Sequence, residues 1–97
     1  MADKLTVAAY IQAKEGKAEQ VKQELAALMP PTHAEPGCIS YVLHQSKDDP
    51  HLFLYFENWT SKEALDEHIA KPHVQAFLAK ADDLLTEPIG VTMWEEV

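Results

Sequence analysis

Two histidines lie close together in the stretch DEHIAKPHVQAF, residues 66–77, where Pro72 separates His68 from His73. Histidines at such short spacing can ligate a metal or transfer protons, because imidazole titrates near neutral pH. On an unbroken helix, five residues turn the chain through about 500°, which would leave the two side chains about 140° apart. That is not the i, i+4 spacing of a zinc-binding helix. We therefore predict no metal site here and consider proton transfer instead.

Pro72 predicts a break between two short helices, because proline is tolerated in the first turn of a helix and disfavoured in its interior. His68 then falls in the last turn of one helix and His73 in the first turn of the next. The partial charges of helix ends favour the protonated form of His68 and the neutral form of His73. Either histidine is a candidate catalytic base. The alternative is that His73 packs at a helix start and His68 is a solvated surface residue.

The run YFENW, residues 55–59, contains a carboxylate, Glu57, and ends in a large aromatic residue, Trp59. Tyr55, Glu57 and Trp59 share one side of a predicted strand, and the apolar residues of that series predict that this side faces inward. A buried Glu needs a partner, and His68 or His73 is the nearest candidate. Such a Glu–His pair under a flat aromatic wall would suit proton removal from a phenolic substrate. The alternative is that Glu57 satisfies a backbone group or a Lys, with Trp59 in the core.

The composition narrows the range of ligands. The chain has 97 residues, a formal net charge of −8, and no arginine. The absence of a basic patch argues against nucleic-acid binding, and the absence of arginine weakens any clamp on phosphate or dicarboxylate groups. A neutral or apolar small molecule fits better. Cys38 is the sole cysteine, which excludes an internal disulfide and suits a reducing cytoplasm. No secretion signal or membrane span is predicted.

The pattern of elements predicts one α+β domain over residues 1–97. We predict strands at 5–13, 38–46, 51–59 and 89–97. One helix runs over 18–29 until Pro30 and Pro31 end it, PPTHAEPG is a connector, and a Thr60/Glu63 capping box opens the next helix, which Pro72 interrupts. The order β-α-β-β-α-β is the ferredoxin-like split pattern with an antiparallel sheet.

Both faces of the predicted sheet carry apolar side chains. The first strand has Val7 and Ile11 on one side and Tyr10 on the other. The third strand likewise has apolar side chains on both sides, such as Phe53 on one and Phe56 on the other. Helices can cover only one face, and the second face of a monomer would be wet. A second apolar face indicates a protein partner, most simply another copy of the chain. His44, of opposite parity to Tyr41, would lie toward that interface. We expect a face-to-face homodimer.

The run of residues 35–77 resembles the antibiotic biosynthesis monooxygenase family, especially its quinol monooxygenase-like branch. The resemblance covers nearly the whole chain. It is carried by several short pieces at matching spacing: Glu35-Pro36-Gly37-Cys38, Tyr41, Asp49-Pro50, Glu57 with Trp59, Ala64-Leu65, His68, Pro72-His73 and Phe77.

The resemblance implies a dimeric α+β barrel with a substrate pocket between the sheet and the helices of each subunit. It also implies oxygenation of a quinol or related hydroxyaromatic by O₂ without metal, flavin or other cofactor, started by a base that removes a phenolic proton. The implied catalytic residues are His73, His68 and Glu57. The implied substrate-binding residues are Trp59, Tyr55, Tyr41, Phe77 and His44.

Other members of the family match less well. The axial histidine of the haem-degrading branch falls near Leu78, and its first-strand asparagine falls near Ala8 or Ala9. Anthrone oxygenases carry asparagine where this chain has Tyr55. A relative that isomerises a phosphorylated sugar shares the Pro-His element, but the absence of arginine counts against that substrate. Isomerase or lyase chemistry on a small oxygenated metabolite, and a non-catalytic dimer that binds a small molecule, remain the alternatives.

Overall fold

The computed structural model of the chain describes residues 4–97. Its strands and helices follow in the order β1 Leu5–Gln12, α1 Ala18–Ala26, α2 Met29–His33, β2 Cys38–Gln45, β3 Leu52–Trp59, α3 Lys62–Ile69, α4 Pro72–Leu78, α5 Ala81–Leu84 and β4 Gly90–Trp94. The four predicted strands are present. The first three are each one residue shorter than predicted, and β4 covers 5 residues of the predicted range 89–97.

The strands form one antiparallel sheet in the order β2-β3-β1-β4. The first and third strands of the chain are therefore central, as the split β-α-β-β-α-β pattern requires. The prediction of a ferredoxin-like α+β fold is confirmed. In the register of the central strands, Val7 lies opposite Glu57, and Glu57 lies opposite Tyr41 on β2. These three residues share the face that packs against the helices.

The two faces of the sheet differ as strand alternation predicts. Val7, Phe53 and Trp59 on the helix-covered face are buried, with 1%, 1% and 0% of their surface exposed. On the other face Tyr10 and Phe56 are each 44% exposed. The core therefore lies between the sheet and the helices, and large apolar side chains remain on the opposite surface. No helix within residues 4–97 is long and apolar enough to cross a membrane.

Two local predictions were wrong. Pro30 and Pro31 do not open a connector. They lie in the first turn of α2, where the missing N–H of proline costs no helical hydrogen bond. The N-cap of α3 is Ser61 and not Thr60, since Ser61 Oγ accepts a hydrogen bond from the backbone N–H of Ala64 at 3.1 Å. A serine three residues before that N–H can cap it as well as the predicted threonine could.

The predicted helix break at Pro72 is confirmed. Lys71 has extended backbone angles, φ −67° and ψ 147°, as the residue before a proline prefers. His68 lies in the last turn of α3, and His73 follows Pro72 in the first turn of α4. The break brings the two imidazole rings to a centroid separation of 6.1 Å. Their proximity therefore depends on the kink and not on helical spacing.

Gly37 permits a close contact between the segment before β2 and the start of α3. Its carbonyl accepts a hydrogen bond from the Thr60 N–H at 2.9 Å. A Cβ at this position would overlap the Cβ of Ala64 and lie 3.1 Å from Thr60 Oγ1. We expect Gly37→Ala to lower the free energy of unfolding by about 1–3 kcal/mol, the usual cost of overpacking, as measured by urea denaturation.

Gly90→Ala is the matched control, because a Cβ there would meet only the Tyr10 Cβ, at an ordinary 3.9 Å. Equal stability of the two variants would contradict the close packing at Gly37.

Candidate active site

A cavity of about 350 Å³ lies between the helix-covered face of the sheet and the helices. Its walls are mostly aliphatic and aromatic, and its lining includes the polar side chains of Tyr41, Tyr55, Glu57 and His68. No Lys lines it within the described part of the chain. An apolar cavity with a few convergent polar groups is the usual form of a small-molecule site.

His68 is held by a buried carboxylate. Its Nδ1 lies 2.9 Å from Glu35 Oε2, and the two side chains are 6% and 7% exposed. An ionised carboxylate only accepts hydrogen bonds, so Nδ1 carries the proton and donates it. Nε2 has no hydrogen-bond partner among the described residues. Every fully buried side-chain nitrogen or oxygen in that part of the chain does have a partner, so Nε2 is not fully buried. Because His68 lines the cavity, its free Nε2 lone pair faces that space.

Glu35 accepts a second hydrogen bond, from His73. His73 Nε2 lies 3.0 Å from Glu35 Oε2 and 3.2 Å from Thr32 Oγ1, so its N–H is shared between them. The backbone fixes the acidic residue as well. Its N–H donates to the Thr32 carbonyl at 3.0 Å, and its carbonyl accepts from the Cys38 N–H at 3.1 Å. Glu35 is therefore oriented from both sides by the turn that joins α2 to β2.

Burial lowers the pKa of His68 below its ordinary value of 6.5, although the hydrogen bond to Glu35 opposes this shift. The charge of His73 adds to the lowering. The prediction that the helix end would favour protonated His68 was wrong, because the loss of hydration outweighs the partial charge of one short helix. A neutral imidazole with a free nitrogen toward the cavity can accept a proton.

Glu57 does not form the predicted pair with a histidine. Its Oε1 accepts a hydrogen bond from Trp59 Nε1 at 2.9 Å, and no histidine is bonded to it among the described residues. The two side chains lie two positions apart on one strand, so they are neighbours on the same face. Burial raises the pKa of Glu57 to about 7, against the opposing Trp59 hydrogen bond, and the charge of Glu35 adds to the rise.

The aromatic residues take two different positions. Tyr41, Tyr55 and Phe77 line the cavity, whereas Trp59 is fully buried and is not part of the lining. The Trp59 ring lies 4.6 Å from the His68 ring, so it supports the imidazole from behind. Tyr41 stacks on Tyr55 at 4.1 Å, and burial raises the pKa of both hydroxyls.

Besides Trp59, two histidines proposed from the sequence do not reach this cavity. His44 is exposed, on the opposite face of the sheet from Tyr41, where its Nδ1 donates to the Val42 carbonyl at 3.1 Å. His73 lies behind Glu35 and is 21% exposed at its side chain. Neither is among the lining residues. The structure thus brings His68, Glu57, Tyr41, Tyr55 and Phe77 around one space.

Glu35 is the functional residue that sequence reasoning missed. In the sequence it stands out only as part of the Glu35-Pro36-Gly37-Cys38 piece, and its partners lie 33 and 38 residues further along the chain. A glutamate in a short connector between apolar elements was the one available indication.

The ligand atoms of Glu35, His68 and His73 lie within 4.8 Å of one another, a spacing that a divalent cation could bridge. Nitrogen and carboxylate oxygen are suitable donors for such an ion. Two short hydrogen bonds to one carboxylate oxygen account for the same geometry, so we treat the three residues as a hydrogen-bonded group. The sequence prediction of no metal stays a prediction.

Comparisons with known proteins point to one family. The family model described as antibiotic biosynthesis monooxygenase matches residues 4–80. The relative named "Putative monooxygenase Rv0793", from Mycobacterium tuberculosis, is 46% identical over 69 residues, which cover 71% of this chain and 67% of the relative. "Uncharacterized protein sll1783" of Synechocystis is 33% identical over 93 residues, or 96% of this chain. The chain spans 63% of the length of that cyanobacterial protein.

Solved structures share the fold. The crystal structure of PA3566 from Pseudomonas aeruginosa has a TM-score of 0.94 and 36% identity, covering 100% of this chain and 97% of that one. The structure of Rv0793 has a TM-score of 0.91 and 34% identity, covering 98% and 96%.

The raised pKa of Glu57 predicts a pH-dependent stability difference. The ordinary carboxyl pKa is 4.5, whereas the folded chain keeps this proton to about pH 7. The folded state thus binds more protons between these values, and its stability falls as pH rises through that window. Glu57→Gln removes the effect. We expect the free energy of unfolding of the variant, relative to the wild type, to rise by up to about 3 kcal/mol from pH 4.5 to pH 8.

Urea denaturation at both pH values measures this difference. A difference that stays constant with pH would show that Glu57 is not a buried carboxyl that holds its proton.

Proposed function

The chain belongs to the antibiotic biosynthesis monooxygenase family, and we propose that it oxidises a quinol or related hydroxyaromatic with O₂ and without metal or flavin. The observation that carries this proposal is the orientation of His68. Its Nδ1–H is bonded to the buried Glu35, and its free Nε2 faces an apolar cavity.

The proposed reaction begins with a proton transfer. The substrate hydroxyl loses its proton to His68 Nε2, and the imidazolium that forms is stabilised by Glu35 through the Nδ1 hydrogen bond, which also fixes the tautomer. The resulting phenolate is electron-rich enough to reduce O₂ directly. For a quinol the balance is quinol plus O₂ giving a hydroxylated quinone plus water. One oxygen atom enters the ring, and the substrate supplies all the electrons.

The lining of the cavity supports a neutral aromatic substrate. Tyr41, Tyr55 and Phe77 present aromatic surface, and the aliphatic walls exclude water. No Lys of the described chain lines the cavity, and its two ionisable groups besides the tyrosines are His68 and Glu57. A phosphorylated or carboxylated ligand would therefore be buried without a countercharge. Trp59 acts through His68 in this proposal, and no role in the cavity is proposed for His44.

A proton-transfer isomerase is the second candidate. His68 and Glu57 line one cavity, and burial pushes their pKa values in opposite directions. A base and an acid at neutral pH are what an isomerase needs to move a proton between two atoms of a substrate. Such an enzyme would consume no O₂, which separates it from the first candidate.

We also propose that two copies associate through the open face of the sheet, in the cytoplasm. Tyr10, Val42, Phe56 and Trp94 are 44%, 47%, 44% and 56% exposed, and the strand register places all four on that face. Tyr10, Phe56 and Trp94 line a concave surface on this face of the sheet. Large apolar side chains grouped on one face of a small protein mark a protein interface.

Loss of the base should abolish O₂ consumption. We expect metal-stripped wild-type protein to take up O₂ above the spontaneous rate with a member of a hydroquinone and polycyclic-phenol panel. His68→Ala should lower that rate by about 10²–10⁴-fold, the usual contribution of a general base. Uptake is followed with an oxygen electrode. His51→Ala, at the turn before β3, is the control and should keep the wild-type rate.

No uptake by the wild type with any member of the panel would contradict the oxygenase proposal. Equal rates for the wild type and His68→Ala would contradict the assigned base.

A charge on the open sheet face should separate the dimer. We expect the wild type to sediment at twice its 10.9 kDa chain mass at micromolar concentration. Phe56→Lys should sediment as a monomer, because a buried unpaired charge is costly at an interface. Lys22→Glu on the exposed side of α1 is the control and should stay dimeric. A wild-type monomer at this concentration would contradict the proposal.

A further inference from the structure

Glu57 presents an unused oxygen to the cavity that contains the free nitrogen of His68. The residue is 5% exposed and lies among the lining residues. Trp59 Nε1 occupies Oε1, and Oε2 has no hydrogen-bond partner among the described residues. Every fully buried side-chain oxygen in the described part of the chain has a hydrogen-bond partner, so Oε2 is not fully buried. Because Glu57 lines the cavity, Oε2 is open to it. A buried carboxyl with one oxygen unused is an incomplete hydrogen-bonding site.

Glu57 and His68 lie at the same end of this cavity. Both contact Trp59, since Glu57 accepts from its indole N–H at 2.9 Å and the imidazole ring lies 4.6 Å from the indole ring. Both also adjoin Tyr41, which is opposite Glu57 in the strand register and 5.3 Å from the His68 ring by centroids. A ligand edge that reaches one of the two polar groups is therefore next to the other.

We infer that Glu57 donates a hydrogen bond from its protonated carboxyl to an acceptor oxygen of the ligand, beside the hydroxyl whose proton goes to His68. The ligand class follows from this pair. It is a neutral aromatic that carries a hydroxyl and, next to it on the same edge, a carbonyl or ether oxygen. The inference names a specificity-determining residue, and it rests on the proposed function in that both place a hydroxyaromatic in this cavity.

The surroundings of Glu57 favour the protonated form. The groups around it are the Trp59 N–H, the tyrosines Tyr41 and Tyr55, the Cys38 thiol, the neutral ring of His68 and, more distantly, the carboxylate of Glu35. None of these is a cation, so no neighbour neutralises an ionised Glu57. Burial accordingly raises its pKa to about 7. A protonated carboxyl has one O–H to donate, and the open side of Glu57 is the cavity.

The test compares two ligands of nearly equal shape. In ortho-methoxyphenol an ether oxygen lies beside the hydroxyl, and in ortho-ethylphenol a methylene group replaces that oxygen. Binding is measured by calorimetry without O₂, so turnover does not interfere. At pH 6 we expect wild-type protein to bind the methoxy compound about tenfold more tightly, as one hydrogen bond of a little over 1 kcal/mol gives.

Two variants separate hydrogen bonding from shape. Glu57→Leu should bind both phenols with equal affinity, because it has no donor. Glu57→Gln, whose amide N–H₂ donates at any pH, should keep the preference at pH 6 and at pH 8. The wild-type preference should shrink at pH 8, where Glu57 is ionised. Circular dichroism confirms folding, and Glu57→Gln carries the test if the leucine variant does not fold.

The outcomes separate this inference from the proposed function. Equal wild-type affinity for the two phenols, or an unchanged preference in Glu57→Leu, would overturn the role of Glu57 alone. Absence of binding by any hydroxyaromatic would overturn both. A Glu57-dependent preference in a protein that consumes no O₂ would support the inference and remove the oxygenase proposal.

Discussion

The buried carboxylate of Glu35 is the constraint on which the rest of the site depends. It accepts hydrogen bonds from two histidines on different helices, at 2.9 Å and 3.0 Å, and it is itself 7% exposed. A buried charge without such partners would be strongly destabilising. The same contacts join the α2–β2 turn to α3 and α4. They also decide which nitrogen of His68 carries the proton and which one remains free for a ligand.

The site combines a histidine and a glutamate whose burial favours a deprotonated imidazole at His68 and a protonated carboxyl at Glu57. Burial favours neutral His68 and protonated Glu57 alike, since each form is the uncharged one. The low polarity of the cavity therefore shifts both pKa values toward the uncharged forms, that of Glu57 upward and that of His68 downward. Trp59 connects the two groups, with its indole N–H on one and its ring against the other.

Local features of the site were predictable from the sequence, and its long-range contacts were not. Alternation on β3 placed Glu57 inward, and Pro72 indicated the break that brings the histidines together. The partner of His68 was not predictable, because Glu35 reaches it only through the tertiary fold. The expected Glu57–histidine pair failed because Trp59 lies nearer on the same strand. The partial charges of the helix ends predicted the wrong direction for the pKa of His68, because the burial of the residue could not be known from sequence spacing.

The central claim is that His68 is a neutral base with Nδ1–H on Glu35 and its lone pair toward the cavity. Nitrogen NMR of ¹⁵N-histidine-labelled protein at pH 7 tests it most directly, with His68→Gln used to assign the resonances. The account predicts a neutral His68 ring with the proton on Nδ1, and a shift confined mainly to Nε2 when a phenol is added. A doubly protonated ring at pH 7, or a neutral ring with the proton on Nε2, would contradict it.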